Sequence, residues 1–156
     1  MRPMSWWCRT AVVFLAVLSA CGGTPKLTDD GRRVQVVAAF VGDLGHAYER
    51  RDATAVMAGI APSFADREEL RRHVESAVAG FDDIDLALTI ERIHLDAETA
   101  TVYLRWDGGW RATGRDPIVR QGAARFIVET GERSFLTAVI GDMPFLPAGA
   151  APAGSP

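Results

Sequence analysis

Hydrophobic residues early in the chain recur at alternating spacings of three and four, the repeat of an amphipathic helix. They form one stripe: Val34, Val37, Val41, Leu44 and Tyr48. Thr28 and the two aspartates after it place a capping hydroxyl and negative charge before this stripe, and Arg50 and Arg51 follow it. Negative charge at the start and positive charge at the end of a helix both stabilise its dipole, so a first helix is predicted through these residues.

Two further helices are predicted before the hydrophobic period changes. The short one runs from about Ala53 to Ile60 and is capped by Asp52. The next begins at residues 66–69, whose sequence Asp-Arg-Glu-Glu is typical of a capping box, and Gly80 suits its C-terminal cap. Its apolar face carries Leu70, Val74, Ala77 and Phe81.

Beyond the third helix the period becomes 2, which is typical of strands. Apolar residues alternate from Ile84 to Ile90, and a change of phase at 92–93 predicts a bulge. After a turn at 96–98, a second strand alternates from Ala100 to Trp106, with Tyr103, Arg105 and Asp107 on its opposite face.

The second strand is predicted to be interrupted at Gly108 and Gly109, before a polar stretch that ends near Gln121. A third strand follows, a turn at 130–133, and a fourth strand at 135–140. The inward face of the third carries Ala124, Phe126 and Val128. Three N-terminal helices and then consecutive antiparallel strands predict an α+β fold, with the helices packed on a curved antiparallel sheet.

The N-terminus has a different pattern. Residues 1–9 carry Arg2 and Arg9 without an acid, and residues 10–20 are uncharged and mostly apolar. Such a helix spans only ~16 Å, too short for the ~30 Å hydrocarbon core, so a secretory signal peptide is predicted over 1–20. Leu18-Ser19-Ala20-Cys21 then resembles the lipobox of bacterial lipoproteins. The alternative is an ordinary signal peptide followed by a chance cysteine.

The lipobox resemblance implies a lipid on the Cys21 thiol that anchors the chain to the membrane, palmitate among its acyl groups, and cleavage before Cys21. Gly22 follows, where an aspartate is the usual signal for retention in the inner membrane. The expected location is therefore the cell envelope, facing the periplasm, at the outer membrane where there are two membranes. Cys8 leaves with the signal peptide, so thiol nucleophiles, redox pairs and thiolate metal sites are excluded.

The hydrophobic content and the net charge limit the class of protein and the kinds of partner that are expected. The 48% hydrophobic content is too high for a disordered chain. The net charge of −3 becomes −5 once Arg2 and Arg9 are removed. An acidic protein does not bind nucleic acid or anionic headgroups by charge, so no nucleic-acid partner is predicted and the lipid makes the membrane contact.

Three segments follow the signal peptide. Residues 21–28 are the lipidated cysteine and a short tether, residues 29–146 the folded domain, and residues 147–156 a tail of proline, alanine, glycine and serine. The tail has nothing to bury and is predicted to be disordered.

Helices followed by a curved meander resemble the nuclear transport factor 2-like superfamily, whose α+β cone is shared by polyketide cyclases and ketosteroid isomerases. Short motifs resemble bacterial lipoproteins with this domain: Asp116-Pro117, Gly122 in the third strand, a glycine turn with Phe135-Leu136, and Gly141-Asp142-Met143-Pro144-Phe145. Ser134-Phe135 stands where that pattern has a tryptophan. The resemblance implies a pocket between the helices and the concave sheet face, but a fold does not imply a reaction.

The candidate pocket residues are Tyr48, Trp106, Trp110 and Phe126. Trp106 is predicted to fill the core, Tyr48 to be the solvated end of a core stripe, and Trp110 to be either a loop residue or part of a stacking platform. Enzymes of this superfamily pair a base with a pocket tyrosine or arginine, and Tyr48, Tyr103 and Asp107 could take such roles. Strand parity places Tyr103 and Asp107 outside, which argues against catalysis.

No metal site or cofactor is predicted, because the three histidines, His46, His73 and His94, lie on separate elements without a nearby cysteine. The outer sheet face is the candidate interface, through Tyr103, Arg105, Arg125 and Ile127. The resemblance implies a homodimer through this face. The sequence thus favours a non-enzymatic envelope protein that binds a small apolar ligand or docks to a protein; the alternative is a cyclase- or isomerase-like enzyme acting on a small apolar substrate.

Overall fold

The computed structural model describes residues 28–146. The predicted signal peptide, the predicted lipidation site Cys21 and the tail at 147–156 lie outside these residues, as does the tether up to residue 27. Three helices precede four strands: α1 (Asp29–Glu49), α2 (Ala53–Ala58), α3 (Arg67–Gly80), β1 (Asp83–Leu95), β2 (Thr99–Arg111), β3 (Ile118–Glu129) and β4 (Phe135–Gly141). The α+β prediction is confirmed, with the element order that was expected.

Helix α1 begins as the sequence predicts. The Thr28 hydroxyl accepts a hydrogen bond from the Gly31 amide at 3.1 Å, and two aspartates occupy the first turn. Its buried face includes Val37, Val41 and Leu44, so the hydrophobic stripe points into the core.

The ends of α2 and α3 differ from prediction. Helix α2 stops at Ala58, two residues early. Asp66 has a left-handed backbone, with φ 55°, and makes no side-chain capping bond, so the capping box is wrong. Side-chain capping needs an extended N-cap backbone, which Asp66 lacks. Gly80 is the last helical residue instead of a left-handed cap, because Phe81 is already extended toward β1.

The four strands form one antiparallel sheet in the order β1-β2-β3-β4. The first bulge is confirmed within one residue, since the register shifts between Ile90 and Arg92. A second shift between Ile127 and Val128 was not predicted. Chain segments between α2 and α3 also join the sheet: Leu136 accepts from the Ala61 amide at 2.9 Å and donates to the Gly59 carbonyl at 2.8 Å.

Strand β2 runs through Gly108 and Gly109, contrary to the predicted interruption, and β3 begins at Ile118 instead of near 121. The glycines leave room for tryptophans. A Cβ on Gly108 would overlap the indole of Trp110, and a Cβ on Gly122 would lie 2.7 Å from the ring of Trp106. Both rings are buried, Trp110 completely. Glycine is therefore needed here for side-chain packing within regular strands.

The helices cover the inner face of the sheet, where α1 lies against β1. Inner residues of β2 such as Val102 and Leu104 are buried, while Arg105 and Asp107 face solvent, which confirms the predicted parity of this strand. Within residues 28–146, no helix has the length and apolar content needed to cross a bilayer.

The adjacent glycines of β2 provide a matched pair of variants. Gly108→Ala is expected to lower the free energy of unfolding by about 1–3 kcal/mol, because the buried Trp110 ring cannot move away from the new methyl group. Gly109→Ala meets no atom closer than 3.9 Å and is expected to be neutral or stabilising by up to about 1 kcal/mol. Urea unfolding followed by tryptophan fluorescence measures both, and equal losses would contradict this account.

Candidate functional site

Four aromatic rings fill the space between the helices and the concave sheet face. Tyr48 of α1 and Phe126 of β3 pack against Phe145, Trp110 of β2 bonds the Tyr48 hydroxyl, and all four residues are fully buried. The rings of Tyr48 and Phe145 pack edge to face with centroids 5.4 Å apart, and those of Phe126 and Phe145 lie 6.3 Å apart. The interior is thus occupied by the chain's own side chains.

The Tyr48 hydroxyl is hydrogen-bonded on both sides. It donates to the carbonyl oxygen of Phe145 at 3.0 Å and accepts from the Trp110 indole Nε1–H at 3.1 Å. Burial raises the pKa of Tyr48 to about 12, although the bond from Trp110 opposes the change. The phenol is therefore neutral at ordinary pH, and its proton is held by a backbone carbonyl.

Phe145 reaches the interior through the segment after β4, which we call the C-terminal plug (Gly141–Leu146). Gly141 has φ +103°, and a Cβ there would lie 2.7 Å from the Ala123 carbonyl oxygen. Asp142 donates its amide to that carbonyl at 3.0 Å, and its own carbonyl accepts from Trp106 Nε1 at 2.9 Å. The glycine turn and these bonds direct the chain back under the sheet.

Charged groups are absent from this interior. Among the residues that the structure describes, no Asp, Glu, His, Lys or Arg side chain is buried. His46 lies on the surface, 2.9 Å from the Glu49 carboxylate, and His94 lies 3.7 Å from Asp96. No group of three His, Cys, Asp or Glu side chains within 28–146 is placed to hold a metal ion.

The outer sheet face has a different chemistry. Tyr103 lies between two arginines, with the guanidinium carbon of Arg92 4.2 Å and that of Arg125 6.0 Å from its ring centroid. Arg105 pairs with Glu91 at 2.7 Å. Ile140, opposite Arg125, is 46% exposed, and Val119, farther along β3 on this face, is 78% exposed. Cross-strand register places Tyr103 opposite Arg125, and Ile127 opposite Thr101.

Two surface depressions lie away from the filled interior. One, of about 320 Å³, is lined by Arg33 and Val36 of α1 together with the two turns at that end of the sheet. The other, of about 310 Å³, runs between α3, β4 and the C-terminal plug, and we call it the α3–β4 groove. Its lining includes Glu69, His73 and Met143, none of which was singled out as a site residue.

Solved structures of low sequence identity have this same arrangement. A proposed scytalone dehydratase from Novosphingobium aromaticivorans matches with TM-score 0.65 at 12% identity, over 78% of this chain and 97% of its own. A nuclear transport factor 2-like superfamily protein from Salmonella enterica matches with TM-score 0.62 at 10% identity, over 81% of this chain and 99% of its own. The chain has the nuclear transport factor 2-like fold. A proposed dehydratase of the nuclear transport factor 2-like family from Streptomyces avermitilis matches with TM-score 0.61 at 15% identity, over 70% of this chain and 95% of its own.

No protein-family model and no curated protein matches the chain in sequence. Identities of 10–15% show the fold alone. The use that this chain makes of the nuclear transport factor 2-like fold has to be argued from its own residues.

The four candidate pocket residues are all buried in one hydrophobic core, where their side chains occupy the interior of the nuclear transport factor 2-like fold. Tyr48 is not the solvated end of a stripe, because the plug covers its hydroxyl. Trp110 is a core residue of β2 instead of a loop residue. Trp106 packs over Gly122 as a core residue, as expected.

The residues considered for catalysis do not meet. Tyr48 lies inside, whereas Asp107 is exposed on the outer side of β2 and Tyr103 lies in the row of arginines there. The interface candidates Tyr103 and Arg125 are cross-strand neighbours, and Arg105 and Ile127 lie in the adjoining rows of the same face.

The buried Tyr48 phenol makes the free energy of unfolding fall at alkaline pH. Its folded pKa of about 12 exceeds the unfolded value near 10, so the stabilisation is complete below pH 10. As pH rises from 10 to 12, only the unfolded chain releases this proton, and the free energy of unfolding falls by roughly 1.4 kcal/mol per pH unit.

Tyr48→Phe tests this assignment. At pH 8 the variant is expected to lose about 1–2 kcal/mol, because the Phe145 carbonyl and the Trp110 N–H lose their partner. The unaltered chain loses stability as pH rises from 10 to 12, whereas the variant lacks the titrating group. The difference in free energy of unfolding between the two is therefore expected to disappear over this range. Urea unfolding across this range is the measurement, and Tyr103→Phe is the control that should retain the alkaline loss. A constant deficit would refute the assignment.

Proposed function

We propose that this chain is a lipid-anchored envelope protein whose nuclear transport factor 2-like domain serves binding and docking instead of catalysis. The observation that carries the proposal is the filled interior, in which Phe145 and Trp110 pack around Tyr48 and use its hydroxyl. A substrate would have to displace these rings to enter.

General acid–base catalysis also needs a titratable group within hydrogen-bond reach of the substrate. Inside the described part of the cone, no carboxylate or imidazole is buried. The Tyr48 phenol is the remaining candidate, and burial raises its pKa to about 12, far from the range useful to a base at neutral pH. These features favour a domain that acts through its surfaces.

An enzyme remains the alternative function. The structures from Novosphingobium aromaticivorans and Streptomyces avermitilis are named as proposed dehydratases, and this name is the observation in its favour. By this alternative the chain would be a dehydratase-, cyclase- or isomerase-type enzyme acting on a small apolar substrate. It would need a base beside an open cavity, such as His73 in the α3–β4 groove.

The anchor is proposed from the N-terminal sequence. A basic start, a short apolar run and Leu18-Ser19-Ala20-Cys21 support lipidation at Cys21 and a place in the envelope facing the periplasm, at the outer membrane where two membranes are present. An acidic domain gains nothing from anionic headgroups, so the lipid would supply the membrane affinity.

The lipid is tested by metabolic labelling with palmitate. The full chain is expected to incorporate label and to sediment with membranes, and Cys21→Ser is expected to lose the label, since no other cysteine follows the signal sequence. Cys8→Ser is the matched control and should be labelled normally. Label that persists in Cys21→Ser would refute the anchor.

The docking surface proposed is the outer sheet face, with a second copy of the chain as partner. Exposed Ile140, opposite Arg125, provides apolar contact beside the row of Arg92, Tyr103 and Arg125, and Val119 adds exposed apolar surface farther along the same face. Aromatic residues and arginines of this kind are enriched at the centres of protein interfaces. Neither Arg92 nor Arg125 takes part in a salt bridge within residues 28–146, so both are available to a partner.

Sedimentation of the full chain in density-matched detergent tests the homodimer. Arg125→Glu, in the centre of the face, is expected to weaken dimerisation about tenfold or more. Arg120→Glu makes the same charge change on the same strand, but register places Arg120 opposite Gly108, on the other side of the sheet. This control should sediment like the unaltered chain. A monomeric unaltered chain would rule out the dimer.

A further inference from the structure

The α3–β4 groove combines apolar walls with acidic groups at one end. Its walls include Phe64, Leu70, Val139, Met143 and Leu146. Phe64, Val139 and Met143 are only partly buried, although each packs against the core. The groove therefore leaves apolar surface open to a ligand, which the filled cone interior does not.

The charged residues that line the groove are Asp66 and Glu69, beside His73. No arginine contributes to the lining. Within the described residues neither carboxylate takes part in a salt bridge or accepts a side-chain hydrogen bond. Asp66 in particular does not use its carboxylate to cap α3, because its backbone is left-handed.

Of the three arginines nearest to these carboxylates on α3, Arg72 is exposed and does not line the groove, and the other two contact groups elsewhere. Arg67 donates to the Met57 carbonyl at 3.3 Å and approaches Glu68 at 3.6 Å, while Arg71 pairs with Glu68 at 3.3 Å. Glu68 therefore holds both guanidinium groups near itself, and Asp66 and Glu69 remain to give the groove a negative field. A positive charge in the groove would find two carboxylates beside an apolar wall.

The size of the groove limits what it can hold. About 310 Å³ is at the lower end of the range for ligand sites, which suits a small molecule such as one aromatic ring with a short side chain. The apolar residues favour a hydrocarbon or aromatic body, and the carboxylates favour an ammonium group over a carboxylate or a neutral head.

We infer that the α3–β4 groove is a binding site for a small amphipathic cation, with an apolar body against Phe64, Val139 and Met143 and an ammonium group beside Asp66 and Glu69. The site lies at the surface between α3 and β4, is lined by none of the four buried rings, and does not depend on the dimer or on the lipid. It also needs no reaction, because its recognition rests on shape and charge alone.

The probe is 2-phenylethylamine, compared with 3-phenylpropanoate, which has a similar aromatic body and the opposite charge. Methionine methyl groups labelled with carbon-13 provide the readout in the full chain, held in phosphatidylcholine nanodiscs. Met143 lines the groove, whereas Met57 is a buried residue of α2 outside the lining and serves as an internal reference. The amine is expected to shift the Met143 signal with an affinity at least about tenfold higher than that of the acid, and to leave Met57 unchanged.

Charge variants separate this site from weak general adsorption. Glu69→Gln and Asp66→Asn are each expected to reduce the preference for the amine several-fold, since each removes one of the two carboxylates. Glu75→Gln removes an exposed carboxylate of the same helix outside the groove lining and should retain the full preference.

Three results would overturn the inference. The first is equal affinity for the amine and the acid, and the second is a Met143 signal that responds to neither probe. The third is a preference for the amine that Glu69→Gln leaves unchanged. The probes are small and are not substrates, so none of these results bears on the dimer or on the anchor.

Discussion

One buried hydroxyl group joins three distant parts of the fold. Tyr48 OH lies between the Phe145 carbonyl and the Trp110 indole, which are 97 and 62 residues away from it in the chain. Each of these polar groups would cost about 1–3 kcal/mol if it were buried without a partner. Helix α1, strand β2 and the C-terminal plug must therefore reach their positions together, and the four rings around the hydroxyl complete the core.

Space for those rings comes from the backbone. Gly108 and Gly122 each face an indole ring, and Gly141 lets the chain turn sharply into the plug. A side chain at any of these positions would collide with an indole ring or with the Ala123 carbonyl, and the packing of the interior would have to shift. Three glycines thus leave the space in which the rings and the plug close the interior of this chain.

The hydrophobic pattern was sufficient for the order of elements, the faces of α1 and β2, and the first bulge, because each depends on neighbours within a few residues. It was insufficient for Tyr48, whose burial depends on a segment that begins beyond β4. The prediction for Gly108 and Gly109 was also wrong. Local propensity predicts that paired glycines interrupt a strand, whereas here the packing of Trp110 requires a glycine within the strand. The α3–β4 groove was missed for the same reason: its two sides are about seventy residues apart, and Asp66 looked like an ordinary helix cap.

The plug connects the interior to the outside of the molecule. Phe145 packs in the core, while Met143 and Leu146 on either side of it line the α3–β4 groove. A ligand in the groove would bind only the state in which the plug is closed, so it would stabilise that state by mass action. The contacts that fill the cone are then the same contacts that shape the proposed site on its surface. By this proposal a filled interior still leaves the chain a place for a ligand, at the seam between α3 and β4.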